Sequence, residues 1–421
     1  MIHTISIAPG ITLRCFPDDR FKQACISVQF LRPVRREEAG MNALLPSVLL
    51  RGCESAPDIR SISRCCDDLY GASIGGCIRR VGDWQTTGLS CGFVEDRYAL
   101  SGDKIMGPVV ALVRDLLLHP VLENGVFRRD FVETERKSLI LTIESEINDK
   151  RSYAYNQLVR KMCSADSYAI PRLGEKTAVE RITPETLYAH YRRVLRESPV
   201  HINYVGSMEP ETVARLAREM FRDAERDYVN LPDQESFRYG GGGEYTEQMD
   251  VTQGKLAMGF VTPIWDRDDR VIPMRLLNII FGSGMTSKLF MNVREKLSLC
   301  YDISSGFNSS KGLLTVTAGI DCDKVALTRQ EIMNQLAACQ QGQITAGELD
   351  AAKEYLRSSM RTVYDSAGSI EYFYSMEHIS ARSMTPEQVV EAVEKTTLDD
   401  VVAAARTLQL HTVYFLEGVN R

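Results

Sequence analysis

The hydrophobic and polar positions of the first half of the chain follow two periods. Stretches in which apolar and polar residues alternate predict β-strands, and stretches in which apolar residues recur every three or four positions predict helices. The predicted strands are 11–15, 24–31, 74–80, 85–93 and 201–205, and the predicted helices are 37–50, 59–69, 106–118, 127–147 and 183–194. Glycine or proline follows several of these helices, as helix ends favour.

The second half repeats this order. Its predicted strands and helices are a strand at 255–261, a mostly helical stretch at 271–297, a strand at 313–320 and helices at 324–338 and 347–363. The two endings also match, because a helix opened by Thr183 leads to a strand at His201 and a helix opened by Thr397 leads to a strand at His411. Repetition of an α+β unit of about 200 residues is a specific architectural signal.

Periodicity is lost between residues 223 and 246. This stretch contains Pro232 and four consecutive glycines at 240–243, a composition typical of flexible connections. We therefore predict an N-terminal domain at 1–222, a linker at 223–246 and a C-terminal domain at 247–421. The four glycines and the stretch 282–288 both lack the context of a phosphate-binding loop, and we interpret 282–288 as a turn inside a helical region.

Composition excludes several classes of protein. The chain has 421 residues, 44% hydrophobic and 25% charged, as in ordinary globular proteins, and its net charge of −6 provides no basic excess for nucleic acid. No apolar stretch approaches the roughly 20 residues that span a bilayer, and the N-terminus does not resemble a signal peptide. Eleven cysteines without a CxxC pair indicate reduced thiols. We expect a cytoplasmic protein without nucleic-acid or membrane partners, and we assign Cys65 and Cys66 to core packing.

Two motifs connect the chain to a known family. In the second half, Ser-x-Leu-Phe at 287–290 is followed by Arg-Glu-Lys at 294–296 and Leu-x-Tyr at 299–301; in the first, residues 38–40 and 49–52 frame a helix. In these motifs the chain resembles, over essentially its whole length, the pitrilysin/insulinase family of zinc metallopeptidases, which includes mitochondrial processing peptidase. The resemblance implies an α+β fold with two homologous metallopeptidase-like α/β sandwich repeats that form one half of a clamshell.

The zinc-binding helix of that family is present here without its ligands. In active relatives two histidines one helical turn apart hold Zn²⁺, a neighbouring glutamate activates water, and a distant glutamate completes the site. The corresponding residues of this chain are Ala43, Pro46, Ser47 and, on the downstream helix, Thr142. A methyl group, a proline ring and neutral hydroxyls do not replace those ligands. We therefore predict a degenerate site without zinc.

Substitute ligands are not evident in the sequence. The downstream helix keeps Glu135 and Arg136, but Glu144 and Glu146 lie two and four residues beyond Thr142 and would need a register shift to face the same place.

The six histidines form no HxxEH, HExxH or close His/Cys pair. We interpret His201 and His411 as packing or edge residues, His119 as a helix-end residue and His378 as a surface residue.

Arg294 and Tyr301 are retained from the second-half signature. In catalytic relatives an arginine and a tyrosine with this offset face the zinc across a closed cavity and help to hold the substrate near the scissile bond. Guanidinium and phenol donors can bind a peptide carbonyl and support developing oxyanion charge. Considered alone, the two residues would be a solvated helix end and a strand residue, but the resemblance of the whole segment favours substrate binding.

The resemblance also implies a partner. Bacterial members occur as pairs in which one chain carries the zinc motif and the other carries the Arg/Tyr pair, and this chain has the second profile. It resembles the inactive partner of paired bacterial peptidase-like proteins of the elongation factor P aminopentanol-modification-associated type. We predict a non-catalytic, zinc-free subunit of a heterodimeric peptidase, with no cofactor of its own, zinc only in the partner subunit, and a peptide substrate.

Two alternatives remain open at this stage. The chain could form a homodimer that binds peptides or has a structural role without enzymatic activity. It could also be a peptidase on its own, which requires a metal site that the sequence does not reveal.

Overall fold

The structure is a computed structural model that describes residues 2–231, 233–235, 237–238 and 240–418. Pro232, which the sequence assigns to the linker, lies outside the described residues, as do Met1 and residues 419–421 of the predicted domains.

The strands in chain order are β1 (His3–Ala8), β2 (Ile11–Pro17), β3 (Gln23–Pro33), β4 (Ser73–Cys77), β5 (Arg80–Val81), β6 (Trp84–Val94), β7 (Leu122–Glu123), β8 (Val126–Phe127), β9 (Val200–Gly206), β10 (Gly243–Met249), β11 (Gly254–Val261), β12 (Cys300–Asn308), β13 (Leu313–Ile320) and β14 (Gln409–Gly418).

The α-helices are α1 (Arg36–Leu49), α2 (Ile59–Asp68), α3 (Met106–Leu118), α4 (Arg129–Ser145), α5 (Lys150–Met162), α6 (Lys176–Val179), α7 (Pro184–Glu197), α8 (Pro210–Met220), α9 (Val271–Asn278), α10 (Val325–Gln340), α11 (Ala346–Thr362), α12 (Ala367–Ile379), α13 (Pro386–Lys395) and α14 (Leu398–Ala405). Two π-helical segments, Ile279–Ser283 and Leu289–Lys296, follow α9.

The described residues divide into two compact units, and neither unit is continuous in sequence. Unit 1 gathers those of Met1–Glu144, Ile170–Asp233 and Val363–Ile379. Unit 2 gathers those of Ser145–Ala169, Gln234–Thr362 and Ser380–Arg421. Unit 1 therefore contains α12 from the second half of the chain, and unit 2 contains α5 from the first half.

Each unit is built on one mixed sheet. In unit 1 the strand order is β1-β2-β9-β3-β6-β4, with β5 beside β6, and in unit 2 it is β10-β14-β11-β13-β12. Five strands of each sheet follow the same order and the same directions: one parallel pair (β2 with β9, β10 with β14), then three antiparallel pairs. The two-repeat α+β fold expected from the sequence is confirmed.

One face of each sheet carries the main hydrophobic core. In unit 1, apolar side chains of β2, β3, β6 and β9 pack against α1, α3, α7 and α8. In unit 2, those of β11, β13 and β14 pack against α9, α10, α13 and α14. The predicted helix starts are also observed, because Thr183 caps α7 and Thr397 caps α14, each in a reciprocal capping box. This burial accounts for the strong periodicity of those segments.

The other face of the unit 1 sheet carries a group of buried polar side chains among apolar ones, and α12 covers it. Glu371 of α12 accepts hydrogen bonds from Ser27 Oγ (2.5 Å) and Gln29 Nε2 (3.2 Å) of β3, and it forms an ion pair with Arg79 (2.6 Å). All of these side chains are largely shielded from solvent. A helix from the second half of the chain is thus held to this sheet by charge and hydrogen bonds as well as by apolar contacts with Phe16 and Val205.

The prediction that His378 is a surface residue is wrong. Its ring packs on that of His201 of β9 with centroids 4.0 Å apart, and its Nδ1 accepts a hydrogen bond from Arg14 of β2. The error arose because α12 was interpreted from its own sequence, which does not show that the helix lies on a sheet from the other half. The interpretation of His201 as a packing residue is confirmed, and so is that of His119, which ends α3.

One element departs from the sequence interpretation. Strand β10 begins at Gly243, so the last residues of the stretch interpreted as a linker are extended backbone paired with β14.

Other details agree with the sequence interpretation. The stretch 282–288 contains a turn between helical segments, as predicted. Cys65 and Cys66 are partly buried against the unit 1 core, which agrees with their assignment to packing. Among the described residues, no helix is long and apolar enough to cross a membrane.

Candidate functional site

Helix α1 holds the three first-half positions at which active relatives carry metal-site residues. Ala43 is 2% exposed and lies in the core. Pro46 is buried inside the helix and packs on Gly76 of β4, so closely that a β-carbon added to Gly76 would lie 2.9 Å from Pro46 Cβ. Ser47 is half-buried on the next position. The helix is therefore packed as ordinary core at the point where relatives hold zinc.

The fourth position, Thr142, lies on α4 and is exposed. Its hydroxyl donates to the carbonyl of Ser138 in its own helix at 3.0 Å, a local bond that threonine commonly makes in helices.

The nearby glutamates are engaged elsewhere. Glu135 pairs with Arg51 (2.5 Å) and Glu144 with Lys176 (2.5 Å). Glu146 accepts from Asn156 at 2.6 Å. Each of these carboxylates therefore has a partner of its own, and they form no common group in the described structure.

A buried polar network lies at the start of α1. Glu38 is 4% exposed and pairs with Arg32 (2.9 Å) and Arg193 (3.0 Å). Burial alone would favour the neutral acid, but the two arginines outweigh it and lower the pKa of Glu38. One turn on, Asn42 Oδ1 accepts from His190 Nε2 at 2.7 Å. From the sequence only Glu38 had a place, in the motif that frames the helix, and the contacts of these residues fix α1 to β3 and α7.

His190 is held neutral in this network. Burial lowers its pKa to about 4, although the charge of Glu38 acts in the opposite direction. Its Nδ1 accepts from Arg193 Nη2 at 3.1 Å while Nε2–H donates to Asn42, so both nitrogens are used in one tautomer.

The donor set of unit 1 does not fit zinc. Structural and catalytic zinc sites use cysteine thiolates, imidazoles and carboxylates in close groups. Within the ranges that the structure describes, no group of three or more His, Cys, Asp or Glu side chains is arranged to hold a metal ion.

Arg294 and Tyr301 are brought together in unit 2. Arg294 lies near the end of the second π-helical segment, and its Nε donates to the backbone carbonyl of Tyr301 at 2.9 Å. The guanidinium also lies over the ring of Phe290, 4.6 Å from its centroid, and Nη1 is 3.2 Å from Glu295. With 38% of its side chain exposed, Arg294 is held by three neighbours and still accessible to a ligand. π-Helical insertions are frequent at functional sites.

Tyr301 lies on β12, the edge strand of the unit 2 sheet. The pairing with β13 is interrupted between Cys300 and Asp302, so Tyr301 occupies an irregularity of the bulge type, which re-aims a side chain. Tyr301 is 54% exposed. Its hydroxyl donates to Asp321 Oδ1 at 3.0 Å, and this bond raises the pKa of the phenol.

Asp321 is the residue of this site to which sequence reasoning gave no role. It follows β13, and its second oxygen lies 3.0 Å from Lys324 Nζ. Hydrogen bonds from Lys324 and Tyr301 lower its pKa. Asp321 directly follows the predicted strand 313–320, but only the fold reveals that β13 brings it to Tyr301.

Three apolar side chains are exposed on the same stretch. Met285, Met291 and Leu297 are 77%, 48% and 44% exposed. Methionine adapts its shape to varied partners and is over-used on promiscuous binding surfaces. The segment therefore combines a held cation, an accessible phenol and adaptable apolar groups.

A separate groove lies in unit 1, on the helical side of the sheet. Its volume is about 720 Å³, and it is formed by the end of α3, by α7 and by the end of α8 with the residues that follow it. Its lining includes Tyr188, Arg192 and Met220, and it includes none of the four degenerate positions.

Part of the chain matches a known family model, and a known protein matches nearly all of it. Residues 181–356 match the family model described as peptidase M16 inactive domain. The chain is 28% identical over 411 residues to YmfF of Bacillus subtilis, described as a probable inactive metalloprotease, with 98% of this chain and 96% of that protein covered.

Solved structures share the fold. The crystal structure of a conserved protein from Enterococcus faecalis superposes with a TM-score of 0.91 at 25% identity, covering 100% of this chain and 99% of that one. A peptidase M16 inactive domain from Pseudomonas fluorescens superposes with a TM-score of 0.81 at 17% identity, covering 100% and 98%. In sequence the chain is thus similar to peptidase-like proteins described as inactive members of the M16 family, and in fold to solved structures that include one of them.

Proposed function

We propose that this chain is the zinc-free subunit of a two-chain M16-type peptidase. In this role Arg294 and Tyr301 bind the peptide substrate beside the metal site of a partner subunit, and the two chains together form the chamber that encloses the peptide. The observation that carries the proposal is the contrast between the two repeats, because the four metal-site positions of unit 1 hold alanine, proline, serine and threonine while unit 2 keeps an accessible Arg/Tyr pair in a fixed arrangement.

The chemistry of the pair supports binding of a peptide group. Arg294 uses Nε on the carbonyl of Tyr301 and Nη1 on Glu295, which leaves further N–H donors of the five on a guanidinium. Donors of this kind bind a carbonyl and stabilise negative charge on its oxygen. The proposal also places the pair of subunits in the cytoplasm, in keeping with eleven cysteines that are all free thiols.

The test combines metal content, assembly and activity. The chain is purified alone and together with a co-expressed bacterial M16 protein that carries an intact HxxEH motif, encoded beside it. We expect zinc below roughly a tenth of an equivalent in the isolated chain, a one-to-one complex by light scattering, and cleavage of short fluorogenic peptides only by the complex.

Two variants of unit 2 show whether the pair acts in that complex. Arg294→Ala should lower kcat/KM of the complex by about 10² without dissociating it, whereas Lys296→Ala, which removes an exposed charge two residues away, should change it less than about twofold. A stable homodimer that binds peptides and ignores the HxxEH protein would instead establish the non-enzymatic alternative. Stoichiometric zinc with activity in the isolated chain would overturn both.

A further inference from the structure

The hydroxyl of Tyr301 already donates a hydrogen bond within the protein. A phenol has one O–H, and here it points to Asp321 Oδ1 at 3.0 Å. A carboxylate is a stronger acceptor than a peptide carbonyl, because hydrogen bonds to an ionised group are roughly twice as strong as bonds between neutral groups. A peptide carbonyl that approached Tyr301 would have to compete with Asp321 for this proton.

Asp321 is itself held in place for this contact. It stands at the position that precedes the short 3₁₀ turn at 322–324, yet its side chain does not cap that turn. One carboxylate oxygen accepts the hydrogen bond of the Tyr301 hydroxyl, and the other lies 3.0 Å from Lys324 Nζ. Lys324 thus keeps Asp321 charged and oriented, and the carboxylate is directed at the phenol instead of at the turn.

A phenol that donates its proton still has lone pairs to accept with. Donation to a carboxylate polarises the oxygen and makes it a better acceptor. Since Tyr301 is 54% exposed, these lone pairs are what the hydroxyl offers to a ligand. Arg294, in contrast, offers only donors.

We propose that Asp321 is a positioning residue that turns Tyr301 into a hydrogen-bond acceptor, so that the site binds a peptide N–H at Tyr301 and a peptide carbonyl at Arg294. The inference rests on the proposed function, because it assumes that peptides bind at this pair. It adds a specificity: a residue without an N–H, such as proline, is disfavoured at one position of the bound peptide, whatever the side chains are.

The first arm of the test needs no peptide. The titration of Tyr301 is followed by the ultraviolet absorbance of tyrosinate, as the difference between the wild-type chain and Tyr301→Phe. Because the bond to Asp321 raises the pKa of Tyr301, Asp321→Ala should shift the titration to lower pH. Asp323→Ala, the same change at an exposed acid two residues away, is the matched control and should shift it much less. An unchanged titration in Asp321→Ala would overturn the proposed link between the two residues.

The second arm measures peptide recognition. A short fluorescein-labelled peptide that binds the wild-type chain is resynthesised with each backbone N–H replaced in turn by an ester oxygen, which keeps the shape of the backbone. One position should lose affinity by about fivefold to tenfold, the size expected for one hydrogen bond. That penalty should fall below about twofold in Tyr301→Phe and in Asp321→Ala, and it should persist in Asp323→Ala.

The outcomes separate the two proposals. If no peptide binds the chain or its complex, the proposed function fails and this inference fails with it. If peptides bind but no ester position is penalised, or if the same penalty persists in both Tyr301→Phe and Asp321→Ala, only the acceptor role is overturned.

Discussion

Arg79 and Glu371 form an ion pair of 2.6 Å between the β4–β5 connection and α12, with side chains 12% and 3% exposed. Glu371 also accepts hydrogen bonds from Ser27 Oγ and Gln29 Nε2, so several polar groups of the sheet depend on one carboxylate. The pair joins residues 292 positions apart in the chain. The attachment of α12 to the unit 1 sheet therefore depends on a specific buried ion pair and the hydrogen bonds around it.

Replacing Glu371 should destabilise unit 1 strongly. Glu371→Ala leaves Arg79 without its ion-pair partner in a largely buried place, and breaking a buried pair from one side costs about 3–5 kcal/mol. Urea unfolding can be followed by the fluorescence of Trp84, which lies in unit 1, in a Trp265→Phe background. Glu211→Ala, at a 75% exposed carboxylate in an ion pair on α8, is the control and should cost less than about 1 kcal/mol. Equal effects of the two variants would show that the buried pair has no special role.

The contact between Pro46 and Gly76 should make a single methyl group costly. In Gly76→Ala the added carbon would lie 2.9 Å from Pro46 Cβ, and such overpacking costs about 1–3 kcal/mol. Gly75→Ala is a matched control, because a β-carbon there meets nothing within 4 Å. Thermal unfolding should place Gly76→Ala clearly below Gly75→Ala. Pro46→Gly removes that Cβ, so the double variant Pro46→Gly/Gly76→Ala should lose less stability than the two single losses added together, and strictly additive losses would locate the strain elsewhere.

Stability should fall as the pH falls from about 6.5 to about 4. In the unfolded chain His190 takes up a proton near its usual pKa of 6.5, whereas in the folded protein burial lowers its pKa to about 4. Between these values the unfolded state binds more protons, so acid favours unfolding. The shift corresponds to about 3 kcal/mol in full.

A variant at His190 tests that assignment. His190→Gln should flatten the dependence of the free energy of unfolding on pH in this window, whatever its effect at pH 8. His119→Gln, at the exposed end of α3, should leave the slope unchanged. A slope that is the same in wild type and His190→Gln would assign the acid sensitivity to other groups, such as Glu38, whose lowered pKa also makes it lose stability in acid.

A buried lysine should matter in unit 2. Lys311 is 1% exposed and lies 3.2 Å from Asp166, while Asp166 also accepts from the backbone N–H groups of Tyr168 and Arg238. Lys311→Met should lower the free energy of unfolding of unit 2 by about 3 kcal/mol, measured by Trp265 fluorescence in a Trp84→Phe background. Lys395→Met, at an exposed ion pair on α13, should cost less than about 0.5 kcal/mol. Similar losses in both variants would contradict the prediction.

The sequence predicted elements that bury one face. Helices α1, α3 and α7 and strands β3, β6 and β9 lie where periodicity placed them, because each contributes a regular apolar stripe to the unit 1 core. Helix α5 was not predicted as a separate element. Its buried residues pack on β11 and β14 of unit 2, and they alternate with polar side chains that also make contacts, such as Tyr153 with Glu247.

The residues of the candidate site also fall into those that the sequence predicted and those that only the fold shows. The residues of α1 and α4 and the pair Arg294 and Tyr301 could be selected because a motif fixes their spacing along the chain. Asp321 lies 20 residues from Tyr301 and reaches it only because β13 runs antiparallel to β12. His378 and Glu371 were missed for the same reason, since their partners lie on strands of the other half of the chain.

The late position of α12 in the chain has a consequence for biosynthesis. The strands of unit 1 and the helices on its apolar face are complete once residue 220 has been made, but the helix that covers the polar face ends only at Ile379. During translation, Arg14, Ser27, Gln29 and Arg79 therefore remain uncovered until most of the 421 residues have left the ribosome. Because domains usually mature from the N-terminus as they emerge, a nascent chain stalled before residue 367 should hold unit 1 in an incomplete, protease-sensitive state.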